Sequence, residues 1–438
     1  MDVTRYRAMD RETLWHPYTK RSAAEAGTLP ILCRGEGPYL FDEEGRRYLD
    51  AISSWWSCNL GHGHPRIVEA IIRQARELQH SILGNLSHPR AIELAARLAG
   101  LFPDRRRVLF ASDGASAVEA ALKIALQYWW NVDRPGKRRF AALDFAYHGD
   151  TLGAVSVGFL PEFHKPFQDS LFPVFQAPSP CCGTCAFGQT AGDCREECFD
   201  NMRLIVRDHA HELAAVIVEP LCQCAGGMRI YPAEYLRRLA ALCREQDILL
   251  IADEVAVGFG RTGRMFAFEH AGVLPDMVCV GKSLSAGYLP ISATLVKQTI
   301  YETFTDAPED RTFYHGHTFA GNPIAAAAAV ETLRVFEEER IVERAEAMGR
   351  VLAEELSALR GRAGVRNVRS LGMIGVVELE EGRGAGAARA ARVRDRLRAE
   401  GILLRPLGAI IYVMPPLIVE EAVLRDLIRR LARSITEC

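Results

Sequence analysis

The feature that most constrains the fold is a series of short apolar runs between about residues 105 and 297, separated by longer helical patterns. The runs are rich in valine, isoleucine and leucine, and they read RRVLFAS, RRFAALDF, LAAVIVEP, ILLIADEV, DMVCVGK and PISATLVK. Near-continuous apolar strands separated by helices are what a parallel sheet covered on both faces requires. The middle of the chain is therefore predicted to be an α/β unit with a mainly parallel sheet.

The two ends of the chain have a different pattern. The early segment GPYLFDEEGRRYLDA predicts a hairpin, in which Glu-Gly supplies the turn between two half-apolar strands. The C-terminal third begins with a helix of small residues, GNPIAAAAAVETLRVFEEE, and continues with strand-like GVVELE and IIYVMPP beside amphipathic helices. We predict a large domain over residues 66–325 and a smaller α+β domain built from residues 1–65 and 326–438.

The charge balance excludes some classes of partner. With 53 basic and 55 acidic residues the formal net charge is -2, which leaves no basic stripe for a nucleic-acid backbone. No apolar run approaches the roughly 20 residues that span a bilayer, and the start, MDVTRYRAMDRETLWHPYTK, lacks the apolar centre of a signal peptide. The sequence therefore predicts a cytoplasmic protein that binds neither nucleic acid nor membrane.

Polar and glycine residues follow four of the apolar runs, at the edge where a parallel sheet collects its ligands. They are Asp253 after residues 248–252, Gly281 and Lys282 after DMVCV, Asp113, Gly114 and Ala115 after RRVLFAS, and Tyr147, His148 and Gly149 after RRFAALDF. A lysine directly after a buried strand is poorly explained by solvation, whereas partial desolvation suits an amine that must react with an aldehyde. Lys282 is therefore the candidate nucleophile.

Pyridoxal phosphate is the cofactor that fits this set. It needs a lysine and a carboxylate near its pyridinium nitrogen, and the second role suits Asp253. Its phosphate suits the start of the helix in SDGASAVEAALKIALQYW, where Gly114 allows close approach and Ala115 offers a free N–H group. Tyr147 supplies an aromatic face for the ring. Taken singly, each feature is more typical of a turn, a cap or packing, so the hypothesis depends on their combination.

The stretches IADEVAVGFGRTG and CVGKSLSAG resemble, in sequence and spacing, the class III aminotransferases, which depend on pyridoxal phosphate and have fold type I. The similarity covers nearly the whole chain. Further stretches are similar to the branch of that family that acts in biotin biosynthesis: LWHPYTK, SSWW, YHGDT, HGHTFAGNP and RPLGAIIYVMPP. The resemblance implies transamination of 8-amino-7-oxononanoate to 7,8-diaminononanoate with S-adenosylmethionine as amino donor, in a homodimer that shares its active sites.

Carried over to this chain, the resemblance implies a role for each residue of the site. Lys282 is the lysine that carries the cofactor, Asp253 is the pyridinium partner, and Tyr18 is a third catalytic residue. The other cofactor contacts are Gly114, Ala115, Tyr147, His317 and, from the other subunit, Thr318. The substrate contacts are Trp55, Tyr147, Gly316, Arg405 and Tyr412. Arg405 meets the far carboxylate of the oxononanoate, which the bidentate geometry of a guanidinium allows.

The sequence departs from the family at two positions and leaves two side chains ambiguous. Ala115 stands where many relatives have serine. The serine hydroxyl that would donate to the phosphate is therefore missing, and weaker binding of the cofactor is expected. Leu407 stands where some relatives have an aromatic residue. Trp56 is either pocket wall or core, because consecutive residues of a strand face opposite ways. Arg261 and Gln223 each match a position near the family's active site. Arg261 has an alternative role, which is to organise the loop after Asp253.

Five cysteines crowd into PCCGTCAFGQTAGDCREEC, namely Cys181, Cys182, Cys185, Cys194 and Cys198. The CxxC and CxxxC spacings are compatible with zinc or an iron–sulfur cluster, although the family reaction requires no metal and reduced surface thiols are the favoured interpretation. His62 and His64 in GHGHP are better explained by a turn than by a metal.

Three other functions are open. Lysine is an alternative amino donor, and ornithine or 4-aminobutyrate would be the substrate of another class III ω-aminotransferase. A non-catalytic metal-binding protein on the same fold is disfavoured, because Lys282 and Asp253 are both present.

Overall fold

The computed structural model describes residues 2–189, 193–380 and 384–438. Its helices are α1 (Val3–Thr13), α2 (Arg21–Glu25), α3 (Ser53–Trp56), α4 (Pro65–Glu77), α5 (Pro89–Gly100), α6 (Gly114–Asn131), α7 (Leu152–Val157), α8 (Pro161–His164), α9 (Glu197–Asp208), α10 (Ala233–Glu245), α11 (Gln298–Tyr301), α12 (Pro323–Glu338), α13 (Ile341–Ser357), α14 (Ala385–Ala399) and α15 (Glu421–Glu437). Its strands are β1 (Leu32–Glu36), β2 (Tyr39–Asp42), β3 (Arg47–Asp50), β4 (Arg106–Ala111), β5 (Arg139–Leu143), β6 (Phe175–Ala177), β7 (Leu213–Val218), β8 (Cys222–Gln223), β9 (Arg229–Ile230), β10 (Leu249–Asp253), β11 (Met277–Val280), β12 (Ser292–Lys297), β13 (Val365–Leu371), β14 (Ile374–Leu379), β15 (Ile402–Leu403) and β16 (Ile410–Val413). Across these described ranges, none of the helices is both long and apolar enough to cross a bilayer.

The largest sheet has the strand order β4-β12-β11-β10-β7-β5-β6. The pairings of β10 with β11 and β7, and of β5 with β7 and β6, are parallel, whereas β12 is antiparallel to both of its neighbours. The six apolar runs of the sequence are therefore confirmed as strands of a mainly parallel sheet. β6 was not predicted, because its three residues are too few to show a hydrophobic period.

This topology brings the residues after the strands to one edge. β10 and β11 are parallel neighbours in which Asp253 pairs with Cys279, so the chain after β11 turns beside Asp253. β4 runs in the same direction, since two antiparallel pairings with β12 separate it from β11. The carboxyl ends of these strands therefore meet in space, as an open α/β sheet requires.

A four-stranded sheet joins the two ends of the chain. β1, β2 and β3 form an antiparallel meander, and the predicted hairpin between β2 and β3 is confirmed. Gly45 occupies its turn with φ +79°, a conformation that glycine adopts without a Cβ penalty. β15 then adds in parallel to β3, with Ile402 opposite Leu49. The N- and C-terminal segments thus pack together, while the boundaries 1–65, 66–325 and 326–438 stay a prediction.

Trp129, near the end of α6, fastens that helix to the centre of the large sheet. Its ring is buried, and its Nε1–H donates to the carbonyl of Ala214 at 2.8 Å. Ala214 is the extra residue of a bulge in β7, since the pairing with β5 shifts register on either side of it. The indole therefore ties α6 to a buried carbonyl at the bulge of β7.

Replacing Trp129 with phenylalanine removes this donor. We expect Trp129→Phe to lower the free energy of unfolding by about 0.5–1.5 kcal/mol, because one buried hydrogen bond is lost. Urea unfolding followed by circular dichroism measures the difference. Trp130→Phe is the matched control, because that ring is half exposed, and it should change the stability by less than about 0.5 kcal/mol. Equal losses in the two variants would contradict the role given to the Trp129 hydrogen bond.

Candidate active site

A cavity of about 670 Å³ opens at the carboxyl ends of β4, β5, β10 and β11. Five residues predicted for the cofactor line it: Lys282, Asp253, Gly114, Ala115 and Tyr147. They come from four separate strand ends, as the sequence predicted. A second cavity of about 420 Å³ adjoins the first, since Lys282, Trp56 and Tyr147 line both.

Lys282 lies at the start of a tight turn directly after β11. Its backbone φ of +42° lies in the left-handed region, which is unusual for a side chain of this size. Its Nζ is 5.3 Å from the centre of the Trp56 ring. Burial lowers the pKa of the Lys282 ammonium, although Asp253 and Cys224 act in the opposite direction. A lowered pKa enlarges the fraction of free amine, which is the nucleophilic form.

The two adjacent carboxylates after β10 have different partners. Asp253 lines the cavity, accepts the N–H of Val255 at 3.0 Å and contacts Nδ1 of His148 at 2.7 Å. Glu254 is buried behind it and accepts the N–H groups of Ala267 and Phe268, both at 2.9 Å. Burial raises the pKa of Glu254 to about 8. The carboxylate of Asp253 therefore faces the cavity, whereas that of Glu254 anchors the following loop through its backbone N–H groups.

The first turn of α6 fits a phosphate group. Asp113 caps the helix. Its carboxylate accepts a hydrogen bond from the N–H of Ser116 at 3.0 Å and another from the Ser116 hydroxyl at 3.1 Å. The amides of Gly114 and Ala115 have no acceptor within the helix, because first-turn N–H groups point outward from its end. Gly149, at φ +120°, packs against Ala115 so closely that a Cβ there would overlap it. The result is a narrow, amide-lined corner of the cavity.

Arg405 lies on the wall of the second cavity, among aromatic side chains. Its guanidinium is 4.1 Å from the ring centre of Trp55 and 5.7 Å from that of Tyr18. Leu407, Phe163 and Ala225 complete the apolar part of the wall. Phe163 was not predicted, and its ring meets Tyr18 edge-on at 5.5 Å. The cavity thus combines a cation with an apolar surface.

Asp150 is a site residue that the sequence reasoning missed. Its carboxylate accepts the hydroxyl of Tyr18 at 2.6 Å and that of Tyr147 at 3.0 Å. Burial, with the hydrogen bond to Asp150, raises the pKa of Tyr18 to about 12, and burial also raises the pKa of Tyr147. Both phenols therefore stay protonated at neutral pH. The available signal was the presence of Asp150 in the same YHGDT stretch as Tyr147.

SSWW is not a strand, so the alternation of strand side chains that left Trp56 as either pocket wall or core does not apply. Residues 53–56 form α3, a left-handed turn with φ values of 49°, 45°, 70° and 71°. Left-handed backbone costs roughly 1–2 kcal/mol per residue when a Cβ is present. This turn directs both indoles to the second cavity. Trp56 is also 2% exposed, so it is at once pocket wall and core.

Arg261 supports this turn from inside the protein. Its buried guanidinium donates to the Ser53 hydroxyl at 3.1 Å, to Oδ1 of Asn59 at 2.6 Å and to the carbonyl of Pro415 at 2.7 Å. Burial lowers the pKa of Arg261 to about 10. Arg261 lines neither cavity, so the structure favours the organising role over substrate contact. Gln223 also lines neither cavity, and it hydrogen-bonds to Ser179 and donates to the carbonyl of Asp144.

Four predicted site residues are not brought to the cavities of this single chain. Tyr412 is buried behind Trp56, with the two rings edge-on at 6.1 Å. Gly316, His317 and Thr318 lie on a partly exposed segment and line neither cavity. Their predicted roles stay predictions.

The cysteine segment shows no metal centre in the part of the chain that the structure describes. Within residues 2–189, 193–380 and 384–438, no three His, Cys, Asp or Glu side chains are grouped to hold an ion. Cys181 is buried, Cys182 and Cys194 are exposed, and Cys185 and Cys198 lie between these extremes. Residues 190–192, within the same segment, lie outside the described residues. The zinc and iron–sulfur hypotheses gain no support here.

Comparison with known proteins decides the family. The family model for class III aminotransferases matches residues 22–435. The chain belongs to the class III aminotransferases. This aminotransferase is also 41% identical, over 443 residues, to the adenosylmethionine-8-amino-7-oxononanoate aminotransferase of Geobacter sulfurreducens, covering 99% of this chain and 98% of the relative.

Solved structures confirm the fold. The crystal structure of adenosylmethionine-8-amino-7-oxononanoate aminotransferase from Methanocaldococcus jannaschii is similar with a TM-score of 0.93 and 36% identity, covering 100% of both chains. An amine transaminase from an uncultivated Pseudomonas species, solved in a PLP-bound form, has a TM-score of 0.91 and 34% identity, covering 98% of this chain and 99% of its own. The aminotransferase is an α/β protein of fold type I, and its cofactor is pyridoxal phosphate.

Lys282→Ala should abolish turnover, since no other amine is placed to take its role among the residues that line the cavity. We expect the far-ultraviolet circular dichroism to stay unchanged, because the side chain makes no structural hydrogen bond in the described part of the chain. Lys297→Ala, which removes only an ion pair with Asp276, is the control and should keep its activity. Transamination by the Lys282 variant would overturn the assignment.

Ala115→Ser should strengthen cofactor binding. A serine hydroxyl beside the phosphate adds one charge-assisted hydrogen bond, which is worth about 1.5–3 kcal/mol, so the Kd for pyridoxal phosphate should fall at least about tenfold. Fluorescence titration of the apoprotein with the cofactor measures this. Ser116→Ala is the control, because the Ser116 hydroxyl is already engaged by Asp113, and an equal change in both variants would refute the placement of the phosphate.

Proposed function

We propose that this aminotransferase converts 8-amino-7-oxononanoate into 7,8-diaminononanoate, with S-adenosylmethionine as amino donor, and so acts in biotin biosynthesis. The names of its relatives support this. Curated proteins named adenosylmethionine-8-amino-7-oxononanoate aminotransferase are 34–41% identical to it over nearly its whole length. Transaminases of other types share its fold at 30–34% identity, so the fold alone does not discriminate between substrates.

The position of Arg405 carries the proposal. Its guanidinium lies in the same cavity as Lys282, and the surface between them is formed by Trp55, Trp56 and Tyr147. An apolar chain with a carboxylate at one end and a carbonyl near the other matches this order of groups. Arg405 would bind the carboxylate, while the aromatic rings would cover the chain and exclude water.

The residues around Lys282 suit proton transfer. When bound, pyridoxal phosphate supplies an aldehyde for amine exchange and a ring that delocalises negative charge. Lys282 Nζ would hold the cofactor and then move a proton at the donor carbon, which its lowered pKa favours. Asp253, fixed by His148 and by the N–H of Val255, would keep a proton on the ring nitrogen. Gly114 and Ala115 would hold the phosphate.

We also propose a homodimer with shared sites. Gly316 and Thr318 are exposed, and the neighbouring aromatic residues Tyr314 and Phe319 are 77% and 63% exposed, a composition that suits a protein interface. A partner chain would cover these rings and bring Thr318 to a phosphate. A cytoplasmic location is supported by the cysteines, since all twelve lie in the described ranges and carry free thiols.

Single-turnover half-reactions test the substrate assignment. Holoenzyme is mixed separately with S-adenosylmethionine, lysine, ornithine and 4-aminobutyrate, and the loss of the cofactor's visible absorbance is followed. After addition of 8-amino-7-oxononanoate, the diamine is assayed by mass spectrometry. We expect only S-adenosylmethionine to give diamine. Conversion by lysine would change the donor, and reaction with ornithine or 4-aminobutyrate without diamine formation would overturn the proposal.

Arg405→Leu should raise the KM for 8-amino-7-oxononanoate while the cofactor spectrum stays unchanged. Loss of a guanidinium–carboxylate pair costs about 1.5–3 kcal/mol, so kcat/KM should fall roughly ten- to a hundredfold. Arg429→Leu removes an exposed arginine on α15 and is the control. An unchanged kcat/KM in the Arg405 variant would exclude this residue as the carboxylate anchor.

A further inference from the structure

The left-handed turn α3 needs support, because four consecutive non-glycine residues occupy an unfavourable conformation. Arg261 holds its first residue through the Ser53 hydroxyl. The second residue, Ser54, turns the other way, and its hydroxyl donates to Oδ2 of Asp50 at 2.7 Å. Asp50 Oδ1 also receives a long hydrogen bond from the N–H of Ile52, at 3.4 Å. The carboxylate of Asp50 therefore anchors both the entrance and the middle of the turn.

Asp50 is itself fixed by His62. The Nε2 of His62 is 3.0 Å from Asp50 Oδ2, and Asp50 is only 1% exposed. The backbone of His62 is held by reciprocal hydrogen bonds with Gly37, at 2.9 and 2.7 Å. The imidazole also packs against Gly35 so closely that a Cβ there would overlap it. These contacts fix the backbone of His62, which presents the imidazole to the carboxylate of Asp50.

The left-handed turn α3 carries Trp55, whose ring contacts Arg405, the arginine proposed to bind the carboxylate. Trp55 follows Ser54 directly, and its ring lies 4.1 Å from Arg405 and 5.5 Å from Tyr18. Arg405 has no ion-pair partner within the ranges that the structure describes, so its position depends on the rings of Trp55 and Tyr18 and on the neighbouring Tyr412 hydroxyl. A shift of the turn would move Trp55 and release the guanidinium.

We propose that Asp50, held by His62, is a positioning residue for substrate binding: it fixes the left-handed turn 53–56 and, through Trp55, the direction in which Arg405 presents its guanidinium. This inference rests on the proposed function only in naming the ligand as a carboxylate at the end of an apolar chain. Neither Asp50 nor His62 lines the cavities, so both act at a distance from the reacting atoms.

The contact between His62 and Asp50 depends on pH, because it is strongest when His62 is protonated. The groups that face this pair are the Cys58 thiol, which contacts His62, the guanidinium of Arg261 on the side of Asp50, and the Tyr288 phenol beside Cys58. Burial opposes the charge on His62, but the interactions with Asp50 and Cys58 together outweigh it, and the pKa of His62 is raised to about 9. The stabilisation of the folded state by the charged His62–Asp50 pair is therefore complete below the ordinary histidine pKa near 6.5, and it is lost as the pH rises through about 9.

Steady-state kinetics of the holoenzyme test the proposal with Asp50→Asn and His62→Gln. We expect the KM for 8-amino-7-oxononanoate to rise about tenfold in each, with kcat changed by less than about threefold, because binding is affected and chemistry is not. Asp42→Asn is the matched control. Asp42 is another buried aspartate of the same hairpin, but its partners are Tyr48 and Arg46, so its loss should lower stability and leave KM unchanged.

A binding measurement separates this inference from the proposed function. Isothermal titration of the holoenzyme with nonanoate, an apolar chain with one carboxylate, should give a Kd about tenfold weaker in Asp50→Asn, comparable to the kinetic effect. In the wild type, tryptophan fluorescence of the nonanoate complex should change with a midpoint near pH 9, and His62→Gln should remove that transition.

The outcomes are distinguishable. Absence of diamine from the wild type refutes the proposed function, while the nonanoate comparison still tests Asp50. An unchanged Kd in Asp50→Asn, or an equal weakening in Asp42→Asn, overturns the positioning role. If Asp50→Asn fails to fold, Ser54→Ala removes only the hydroxyl contact, and an unchanged Kd in that variant likewise overturns it.

Discussion

A single buried guanidinium, that of Arg261, connects the segments that form the walls of the active site. A charge of this size is costly to bury unless its donors are satisfied, so the surrounding chain must supply acceptors. They come from the N-terminal segment, through Ser53 and Asn59, and from the C-terminal segment, through Pro415. Arg261 itself lies in the loop that follows Asp253. The loop after Asp253 and the turn that carries Trp55 and Trp56 are thus fixed to one group.

The electrostatics of the cavity depend on burial as much as on charge. Lys282 lies among several acids, yet burial keeps the pKa of its ammonium below the ordinary value. Burial raises the pKa of Glu219 to about 8, and this carboxyl accepts the N–H groups of Tyr147 and Cys224 at 3.0 and 2.9 Å. Glu219 on the cavity wall and Glu254 behind it are therefore held by backbone donors. Asp253 also lines the cavity and contacts His148.

The second cavity is lined by aromatic rings that hold polar groups in place. Asp150 joins the hydroxyls of Tyr18 and Tyr147, and Trp55 supports the guanidinium of Arg405. Each ring therefore offers an apolar face to the cavity and also orients a polar group. The strain of the left-handed turn that carries Trp55 and Trp56 is part of this arrangement, since a strand would direct only one of the two indoles to the cavity.

The sequence by itself determined the strands of the large sheet, the hairpin and the placement of Lys282 and Asp253 at strand ends, because burial and strand pairing leave a local pattern of apolar runs. Only the tertiary structure decided the left-handed turn in SSWW, the bridge through Asp150 and the position of Tyr412 behind Trp56. No local propensity favours that turn. It is held by Arg261, which is 208 residues away from Ser53 along the chain, and contacts between such distant residues depend on the whole fold.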